Sequence, residues 1–183
     1  VLNDEPETGV SIMYMAEELD AGDVIRVAKT PIAPEEALSD LWNRLAELGA
    51  EALSETVTDL QNGIVTRTPQ DGSQATFAPM LSKELSPVDW TKPARAIDCQ
   101  IRGLQPWPCA VTDVIDGNPI KLFAAQVLEE QTEQHPGVIA AAGKQGIDIA
   151  CGDGHLLRIL ELQAQGGKRM TAAAYLLGHP ITR

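Results

Sequence analysis

The sequence is poor in aromatic and in basic side chains. Only 4% of the 183 residues are Phe, Trp or Tyr, and 14 Lys and Arg stand against 26 Asp and Glu, a net charge of −12. Such an acid surplus argues against binding of polyanions through overall charge. No run approaches the roughly 18 apolar residues that would span a membrane, and the acidic start is unlike a signal peptide. We therefore expect a cytoplasmic, globular protein with no membrane partner.

Cysteine is also scarce, and an initiator Met is lacking. Cys99, Cys109 and Cys151 show neither a CxxC pair nor another metal-ligand spacing, and the three histidines are isolated from one another. We predict reduced thiols at core positions and no metal site. Because the sequence opens on Val1, a few residues before a strand-like run, we expect a fragment or a processed chain.

The acidic residues that are present lie mainly in the first third of the chain. Residues 1–63 hold 14 acidic and three basic side chains, a net charge of −11, whereas residues 64–183 hold 12 and 11, a net charge of −1. From His135 onward five basic residues face three acidic ones. This asymmetry fits two modules with different partners. We predict domains over residues 1–63 and 88–183, joined by a polar, turn-rich linker over residues 64–87.

An acidic loop over residues 17–23 lies between two apolar runs, residues 10–15 and 24–28. The pattern predicts a strand, a loop and a second strand. Gly22 can adopt backbone angles that other residues avoid, which would fold the loop tightly and aim the Asp20 carboxylate inward. The alternative is a solvated hairpin tip.

The other carboxylates of this loop have simpler interpretations. Glu17 and Glu18 are expected in solvent, and Asp23 is expected to face solvent or to cap the loop. Next, residues 34–63 show helical spacing of apolar residues, with Trp42 in the core and Gly49 kinking or ending the helix. A strand pair with such helices buries few apolar faces alone, so we expect exposed apolar surface or pairing with another chain.

The second module reads as a helix followed by short strands. Residues 92–103 predict the helix, and two prolines around Trp107 predict a rigid turn with a buried, architectural tryptophan. Five short apolar runs separated by Gly-containing turns predict a small, closed antiparallel barrel, and they cover residues 110–115, 120–127, 138–140, 147–150 and 155–160. A capped helix from Thr171 closes the module.

Several of these stretches resemble folate-dependent formyltransferases. Residues 8–13 (Thr-Gly-Val-Ser-Ile-Met) and 18–25 (Glu-Leu-Asp-Ala-Gly-Asp-Val-Ile) are similar to the segment that closes the active site of this family. Residues 81–84 (Leu-Ser-Lys-Glu) and 166–170 (Gly-Gly-Lys-Arg-Met) favour the members that act on methionyl-tRNA. The resemblance covers almost the whole chain in order.

This resemblance implies an α+β chain. Residues 1–63 would be the end of a formyltransferase α/β catalytic domain, and residues 88–183 a small antiparallel barrel of the oligonucleotide-binding (OB) type. The implied reaction moves a formyl group from 10-formyltetrahydrofolate to the amino group of methionyl-initiator-tRNA, for translation initiation. Two alternatives remain: a sugar-amine formyltransferase, and a freestanding nucleic-acid-binding barrel with a helical adaptor. Asp20 favours an enzyme, because a binding module has no use for it.

The resemblance also implies residue roles. The family uses an Asn, a His and an Asp, and Asp20 matches the Asp, whose carboxylate orients the imidazole and favours its protonated form. The amide, or the imidazole, stabilises the tetrahedral oxyanion. The Asn, the His and most folate-binding residues are expected upstream of Val1, so this chain alone is expected to be inactive.

The barrel is expected to bind initiator tRNA through its backbone. The candidate basic residues are Lys144, Arg158, Lys168 and Arg169, together with Lys83 of the linker. Each of them is equally consistent with solvated surface charge. Because they are few, the salt dependence of binding should be shallow. The intact protein is expected to be a monomer.

Overall fold

The structure of the chain is a computed structural model that describes residues 1–181. It divides into two compact units, Glu5–Met80 and a second unit that joins Val1–Asp4 to the chain from Leu81 onward. We call them the hairpin unit and the sheet unit. Both combine helix with antiparallel strands. Among the described residues, no helix is both long and apolar enough to cross a membrane.

The hairpin unit consists of two strands and one long helix. β1 (Glu7–Met13) pairs antiparallel with β2 (Val24–Pro31), and the register shifts once beside Met13. α1 (Leu38–Gln61) packs against both strands. Because side chains alternate along a strand, each strand turns one face to the helix and the other away from it.

α1 is one uninterrupted helix, although we predicted that Gly49 kinks or ends it. It begins at Leu38, four residues after Pro34. A β-carbon at Gly49 would lie 3.5 Å from Val10 Cγ1, which is an ordinary contact, so this glycine lies on the helix face that packs on β1. Glycine in a helix costs about 1 kcal/mol relative to alanine. Packing on β1 offsets that cost, and the helix continues.

The prediction that Trp42 belongs to the core is wrong. Trp42 is 70% exposed, whereas its neighbour Leu41 is 4% exposed. The apolar residues of α1 form a stripe on the helix surface that is wide enough to have two edges. Only the edge that contains Leu41 faces the strands. Leu53, Val57 and Leu60 are exposed as well. The expectation of exposed apolar surface on this unit is therefore confirmed.

The segment that follows α1 has little regular structure. It contains one 3₁₀ turn, Gly72–Gln74, and a second turn, Lys83–Leu85, lies just beyond it. Thr68 pairs with Val24 through two backbone hydrogen bonds of 2.9 Å each. The composition indicates an irregular chain, but it does not indicate this pairing with β2.

In the part of the sheet unit that the structure describes, there are two α-helices and a six-stranded antiparallel sheet. Its elements are α2 (Ala94–Gly103), β3 (Ala110–Thr112), β4 (Ile120–Gln131), β5 (Ile139–Gly143), β6 (Gly146–Ala150), β7 (His155–Ala164), β8 (Met170–Thr171) and α3 (Ala172–Gly178). The strand order is β3-β4-β7-β6-β5, with β8 beside β7. The predicted helices and five strands lie within a few residues of these positions, and β8 is additional.

The closed OB-like barrel that we expected is not confirmed. β3 and β5 stand at the ends of the strand order, and no pairing joins them within residues 1–181. The free side of β3 is occupied by the preceding chain, since Val88 N–H donates to Val111 O at 2.9 Å and Val111 N–H donates to Ser86 O at 2.7 Å. These bonds satisfy the backbone edge that a closing strand would otherwise use.

The core of the sheet unit lies between its helices and the inner face of the sheet. Its fully buried side chains include Ile97, Ile101, Ile120, Leu122, Ile149 and Leu157. Trp90 joins this core, and its Nε1 donates to Thr112 Oγ1 at 3.0 Å. All three cysteines are buried and unpaired, which confirms their predicted core positions.

Candidate functional site

The acidic loop that was predicted to carry the functional carboxylate closes the β1–β2 hairpin. At its base, Tyr14 N–H donates to Asp23 O at 3.0 Å. Asp20 has a φ of 55°, in the left-handed region, which Asp tolerates better than most residues but which still costs about 1 kcal/mol. Asp20 is exposed. The expectation that the loop turns the Asp20 carboxylate inward is therefore not confirmed, and its exposure matches the alternative of a solvated hairpin tip, although the residue also lines an open cleft.

Gly22 is required for a close approach rather than for its backbone angles. Its φ lies outside the left-handed region, which corrects the reason we gave from the sequence. A β-carbon at this position would lie 1.7 Å from the Tyr14 carbonyl oxygen. No side chain can be accommodated at that distance. The sharp turn is thus made at Asp20, and the tight contact is made at Gly22.

A side chain from the irregular segment fastens this loop. Gln70 Nε2 donates to Asp20 O at 2.9 Å and to Gly22 O at 2.7 Å. A primary amide has two N–H donors, and both are used here on carbonyls either side of Ala21. Nothing in the sequence singles out Gln70, because a glutamine among turn-forming residues carries no local signal.

Arg67 braces the other end of the loop. It donates to Asp23 Oδ2 at 3.3 Å, and its guanidinium carbon lies 3.9 Å from the centre of the Tyr14 ring. Such a cation–π contact adds to the ion pair. The Asp23 side chain is 34% exposed, so it is both partly solvated and paired. We call residues 67–70 the strap, because they contact Tyr14, the acidic loop and the start of β2.

An open cleft of about 1320 Å³ is bounded by the acidic loop, β2 and the strap. Asp20, Gln70 and Phe77 are among its lining residues, and Phe77 is 95% exposed. Ordinary small-molecule pockets enclose about 300–1,000 Å³, so this cleft is wide enough for an elongated ligand. Among the described residues that line it, none is Asn or His.

The five basic residues predicted to contact tRNA lie on separate elements. Lys83 belongs to the turn Lys83–Leu85, and Lys144 belongs to the turn between β5 and β6. Lys168 and Arg169 precede β8. All four are exposed. Lys168 and Arg169 are consecutive in the sequence, and the tRNA roles of all these residues stay predictions.

Arg158, the fifth of these residues, is held by an ion pair. Its Nε and Nη2 donate to Asp148 Oδ1 and Oδ2 at 2.7 and 2.8 Å. The hydrogen bond to Asp148 raises the pKa of the Arg158 guanidinium. With its charge compensated, Arg158 would have to leave Asp148 to bind a phosphate. Within residues 1–181, no group of three or more His, Cys, Asp or Glu side chains is placed to hold a metal ion.

Two formyltransferase family models match the stretches that contain the braced carboxylate loop and most of the sheet unit, so the chain belongs to the formyltransferase family. The family model described as "Formyl transferase" matches residues 2–57, and the model described as "Formyl transferase, C-terminal domain" matches residues 80–180.

Curated relatives give a more specific similarity. The chain is 47% identical to the methionyl-tRNA formyltransferase of Trichlorobacter lovleyi, over 99% of this chain and 56% of that protein. It is 40% identical to the methionyl-tRNA formyltransferase of Halalkalibacterium halodurans, over 97% of this chain and 56% of that protein. The chain thus spans about half the length of the curated relatives it matches.

Solved structures show the same fold. HypX from Aquifex aeolicus in complex with tetrahydrofolic acid matches 96% of this chain and 31% of its own, with a TM-score of 0.70 and 25% identity. An N-formyltransferase from Helicobacter canadensis, in complex with folinic acid and dTDP-3-aminofucose, matches 86% of this chain and 57% of its own. Its TM-score is 0.68 at 18% identity, which is evidence of the fold alone.

Proposed function

We propose that the protein transfers a formyl group from 10-formyltetrahydrofolate to the amino group of methionyl-initiator-tRNA, with Asp20 as its catalytic carboxylate. One observation carries this proposal: Asp20 is held at a φ of 55° on a braced loop that opens on the cleft. Strained backbone of this kind is concentrated at functional sites. The similarity to methionyl-tRNA formyltransferases supports the tRNA substrate, and HypX, solved with tetrahydrofolic acid, supports a folate donor.

The chemistry needs a group that organises proton transfer. The methionyl amine forms a bond to the formyl carbon and the carbonyl oxygen becomes an oxyanion. The oxyanion then returns to a carbonyl as the bond from that carbon to the folate nitrogen breaks, and the folate nitrogen takes up a proton to balance the one that the amine loses. A carboxylate in the place of Asp20 orients an imidazole and favours its protonated form, which can stabilise the oxyanion or move the amine proton. For the full-length protein, the proposal includes a His imidazole and an Asn amide donor in addition to Asp20.

Replacing Asp20 by Asn in the full-length protein tests this role. We expect kcat for formylation of methionyl-tRNA to fall at least about 100-fold, which is typical for the loss of acid–base assistance. Glu17→Gln is the matched control, since Glu17 is an exposed carboxylate of the same loop. It should keep kcat within about twofold of the unchanged protein. A wild-type rate in Asp20→Asn would refute the assignment.

The substrate that is formylated distinguishes the proposed function from its two alternatives, a sugar-amine formyltransferase and a freestanding nucleic-acid-binding module. A sugar-amine formyltransferase would formylate a nucleotide-linked amino sugar and leave methionyl-tRNA untouched, and a freestanding binding module would do neither. The 183-residue chain alone, with neither Asn nor His among the described residues that line its cleft, is expected to give no formylated product. Turnover by this chain above background would contradict that expectation.

For the sheet unit we propose the OB type and binding of tRNA through Lys83, Lys144, Arg158, Lys168 and Arg169. Register shifts between β4 and β7 support a strongly bent sheet, because bulges increase twist and curvature.

Three buried, unpaired cysteines fit a reducing compartment such as the cytoplasm. The monomeric state of the intact protein stays a prediction.

A further inference from the structure

The helix α2 is buried on two sides, and only one of them faces the core of the sheet unit. Ala94, Ile97 and Ile101 point into that core and are fully buried. Cys99 and Arg102 lie on another side of the helix, yet they are only 1% and 5% exposed. Successive residues of an α-helix are rotated by roughly 100° from one another, so the sheet cannot cover both sides. The second side is covered by other parts of the chain.

Residues 1–4 provide part of this cover. Their contacts place them in the sheet unit, although the residues that follow them, from Glu5 onward, belong to the hairpin unit. Arg95 of α2 donates to the Asp4 carboxylate from Nε, at 3.1 and 3.0 Å to the two oxygens, and from Nη2 at 2.5 Å. A guanidinium that uses two nitrogens on one carboxylate forms a stronger and more directional contact than a single ion pair does.

Leu2 contacts the same side of α2 further along the helix. A β-carbon at Gly103 would lie 2.7 Å from Leu2 Cδ2 and 2.8 Å from Leu2 Cγ, so Leu2 packs directly on the backbone of Gly103. Arg95, Cys99 and Gly103 are spaced by four residues, which places them in one row along the helix. Asp4 contacts one end of this row and Leu2 contacts the other. Residues 2–4 therefore run along α2 past Cys99.

Asp4 belongs to a larger network of charges on this side of α2. Arg95 Nη1 donates to Asp98 Oδ2 at 3.1 Å, and Arg102 Nε donates to the same oxygen at 2.9 Å. Arg102 Nη2 also lies 3.2 Å from Cys99 Sγ. Asp4 thus adds a second carboxylate to two guanidinium groups that share Asp98. Loss of its charge would leave this partly buried network less well compensated.

A turn in the backbone of residues 1–4 accompanies these contacts. Asp4 N–H donates to Val1 O at 3.1 Å, and Asp4 has a φ of 57°, in the left-handed region. Aspartate tolerates this region better than most residues do. A non-glycine residue keeps such a conformation only where its surroundings hold it. The contacts of the Asp4 carboxylate with Arg95 are of this kind.

The same helix also holds the other stretch of chain that connects the two units. The chain passes from one unit to the other twice, after residue 4 and after residue 80. Gln100 of α2 donates from Nε2 to Leu85 O at 2.7 Å and to Pro87 O at 3.1 Å. α2 therefore binds the chain close to both passages. The first passage leads directly into β1, which begins three residues after Asp4.

We propose that residues 2–4 form a latch that closes on α2 and opens by local unfolding, and that the closed latch restricts the chain that leads into β1. In the closed form, the ion pair of Asp4 and the packing of Leu2 shield the Cys99 thiol. The ion pair is only partly buried, with the Asp4 and Arg95 side chains 46% and 40% exposed. Contacts of this kind open at a small cost in free energy compared with unfolding of the whole unit. The latch does not depend on the proposed function.

The test measures how fast iodoacetamide alkylates Cys99 in the full-length protein, with mass spectrometry to follow each cysteine. Asp4→Asn keeps the size of the side chain and its tolerance of the left-handed region but removes the charge, so it should raise the rate at Cys99 by about three- to tenfold. Gly103→Ala should raise it too, because the added methyl group displaces the latch while leaving its charge in place. Glu7→Gln is the matched control, since it breaks another exposed ion pair, and it should keep the rate within about twofold. Circular dichroism verifies that each variant is folded.

Two further readouts distinguish the latch from other causes of reactivity. Cys109 and Cys151 are buried elsewhere in the sheet unit and should react at unchanged rates. Raising the salt concentration from about 0.05 to 1 M should speed alkylation of Cys99 in the unchanged protein and have less effect in Asp4→Asn, because salt screens the ion pair. A rate at Cys99 that stays unchanged in folded Gly103→Ala would overturn the latch, since a rise in Asp4→Asn alone would reflect only the charge near the thiol. An equal rise at all three cysteines would overturn it as well, because the whole unit would then be opening.

Discussion

Gln70 of the strap donates two hydrogen bonds to the acidic loop, both from its side-chain amide nitrogen. Each such bond contributes about 1 kcal/mol net. Their combined effect is large enough to change which conformation of the loop is populated, because Asp20 already occupies an unfavourable backbone region. At the scale of single residues, the position of the candidate catalytic carboxylate therefore depends on a side chain fifty residues away along the chain.

We predict that Gln70→Ala lowers kcat for formyl transfer by about tenfold, since loss of about 1.4 kcal/mol of positioning has this effect on a rate. The KM for tRNA and the free energy of unfolding should change little. Gln74→Ala is the control, because Gln74 donates only to Asp71 in the neighbouring turn. Steady-state kinetics and urea denaturation measure the three quantities. A loss confined to KM or to stability would show that Gln70 does not position the loop.

Single residues also show where sequence-based prediction stops. Asp20 and Gly22 could be singled out because the sequence around them is unusual. Gly22, however, is required for its close approach to the Tyr14 carbonyl oxygen and not for its backbone angles. Trp42 and Trp107 were both assigned to the interior and both are exposed. Apolar spacing identifies a face of an element, but it does not identify what covers that face. Gln70 gave no signal, since its contacts depend on a loop distant in sequence.

At the scale of elements, the β1–β2 hairpin is sensitive to a single methyl group. We predict that Gly22→Ala lowers the free energy of unfolding of the hairpin unit by more than about 2 kcal/mol, because its β-carbon would lie 1.7 Å from the Tyr14 carbonyl oxygen. Hydrogen exchange of β1 and β2 amides reports this loss directly. Protection equal to that of the unchanged protein would mean that the loop relaxes without cost.

Gly49→Ala is the matched comparison for this prediction. Its added methyl group would lie 3.5 and 3.7 Å from the two Val10 methyl carbons, at ordinary contact distances. The substitution also removes a flexible residue from the interior of α1. We expect stabilisation by about 0.5–1 kcal/mol. The same chemical change should thus have opposite signs at two glycines of one unit.

At the level of elements, the prediction was good wherever local patterns act alone. Turn-forming residues separate the strands of the sheet unit, and the alternation of buried and outward residues on β4 follows from its sequence. Closure of a barrel depends on which backbone reaches the edge of β3. The segment around Val88 takes that edge, and nothing in its sequence distinguishes it from a connecting loop.

For the molecule as a whole, alkaline pH should be destabilising because of two buried groups. Burial, and then the neighbouring Asp116, raises the pKa of Tyr175 from 10.0 to about 12, and its hydroxyl donates to Asp116 Oδ2 at 2.5 Å. Burial, and then Asp153, raises the pKa of Cys151 from 9.0 to about 12. Folding favours the neutral forms, so their contribution is complete below the ordinary pKa values and is lost as pH rises towards 12.

We predict that the free energy of unfolding falls by roughly 2 to 4 kcal/mol between pH 9 and pH 12. In Tyr175→Phe the decrease should be smaller, because the contribution of the phenol is removed and that of the buried thiols remains. Urea denaturation across this pH range measures both curves. An equally steep decrease in Tyr175→Phe would show that the phenol is not responsible.

The two units differ in charge in a way that predicts the salt dependence of RNA binding. The hairpin unit holds 14 acidic and four basic side chains, a net charge of −10, whereas the sheet unit holds 12 and 10, a net charge of −2. Attraction of tRNA is therefore left to a few cations of the sheet unit, for which we propose Lys83, Lys144, Arg158, Lys168 and Arg169.

Five phosphate contacts predict a slope of log affinity for tRNA against log salt concentration of about −3.5 to −4.5. Lys144→Gln should make that slope shallower by about 0.7 to 0.9, because one contact is removed. Lys29→Gln, at an exposed lysine paired with Glu7 in the hairpin unit, is the control and should leave both the slope and the affinity unchanged. A slope steeper than about −7 would instead require contacts with many more phosphates than these five cations can supply.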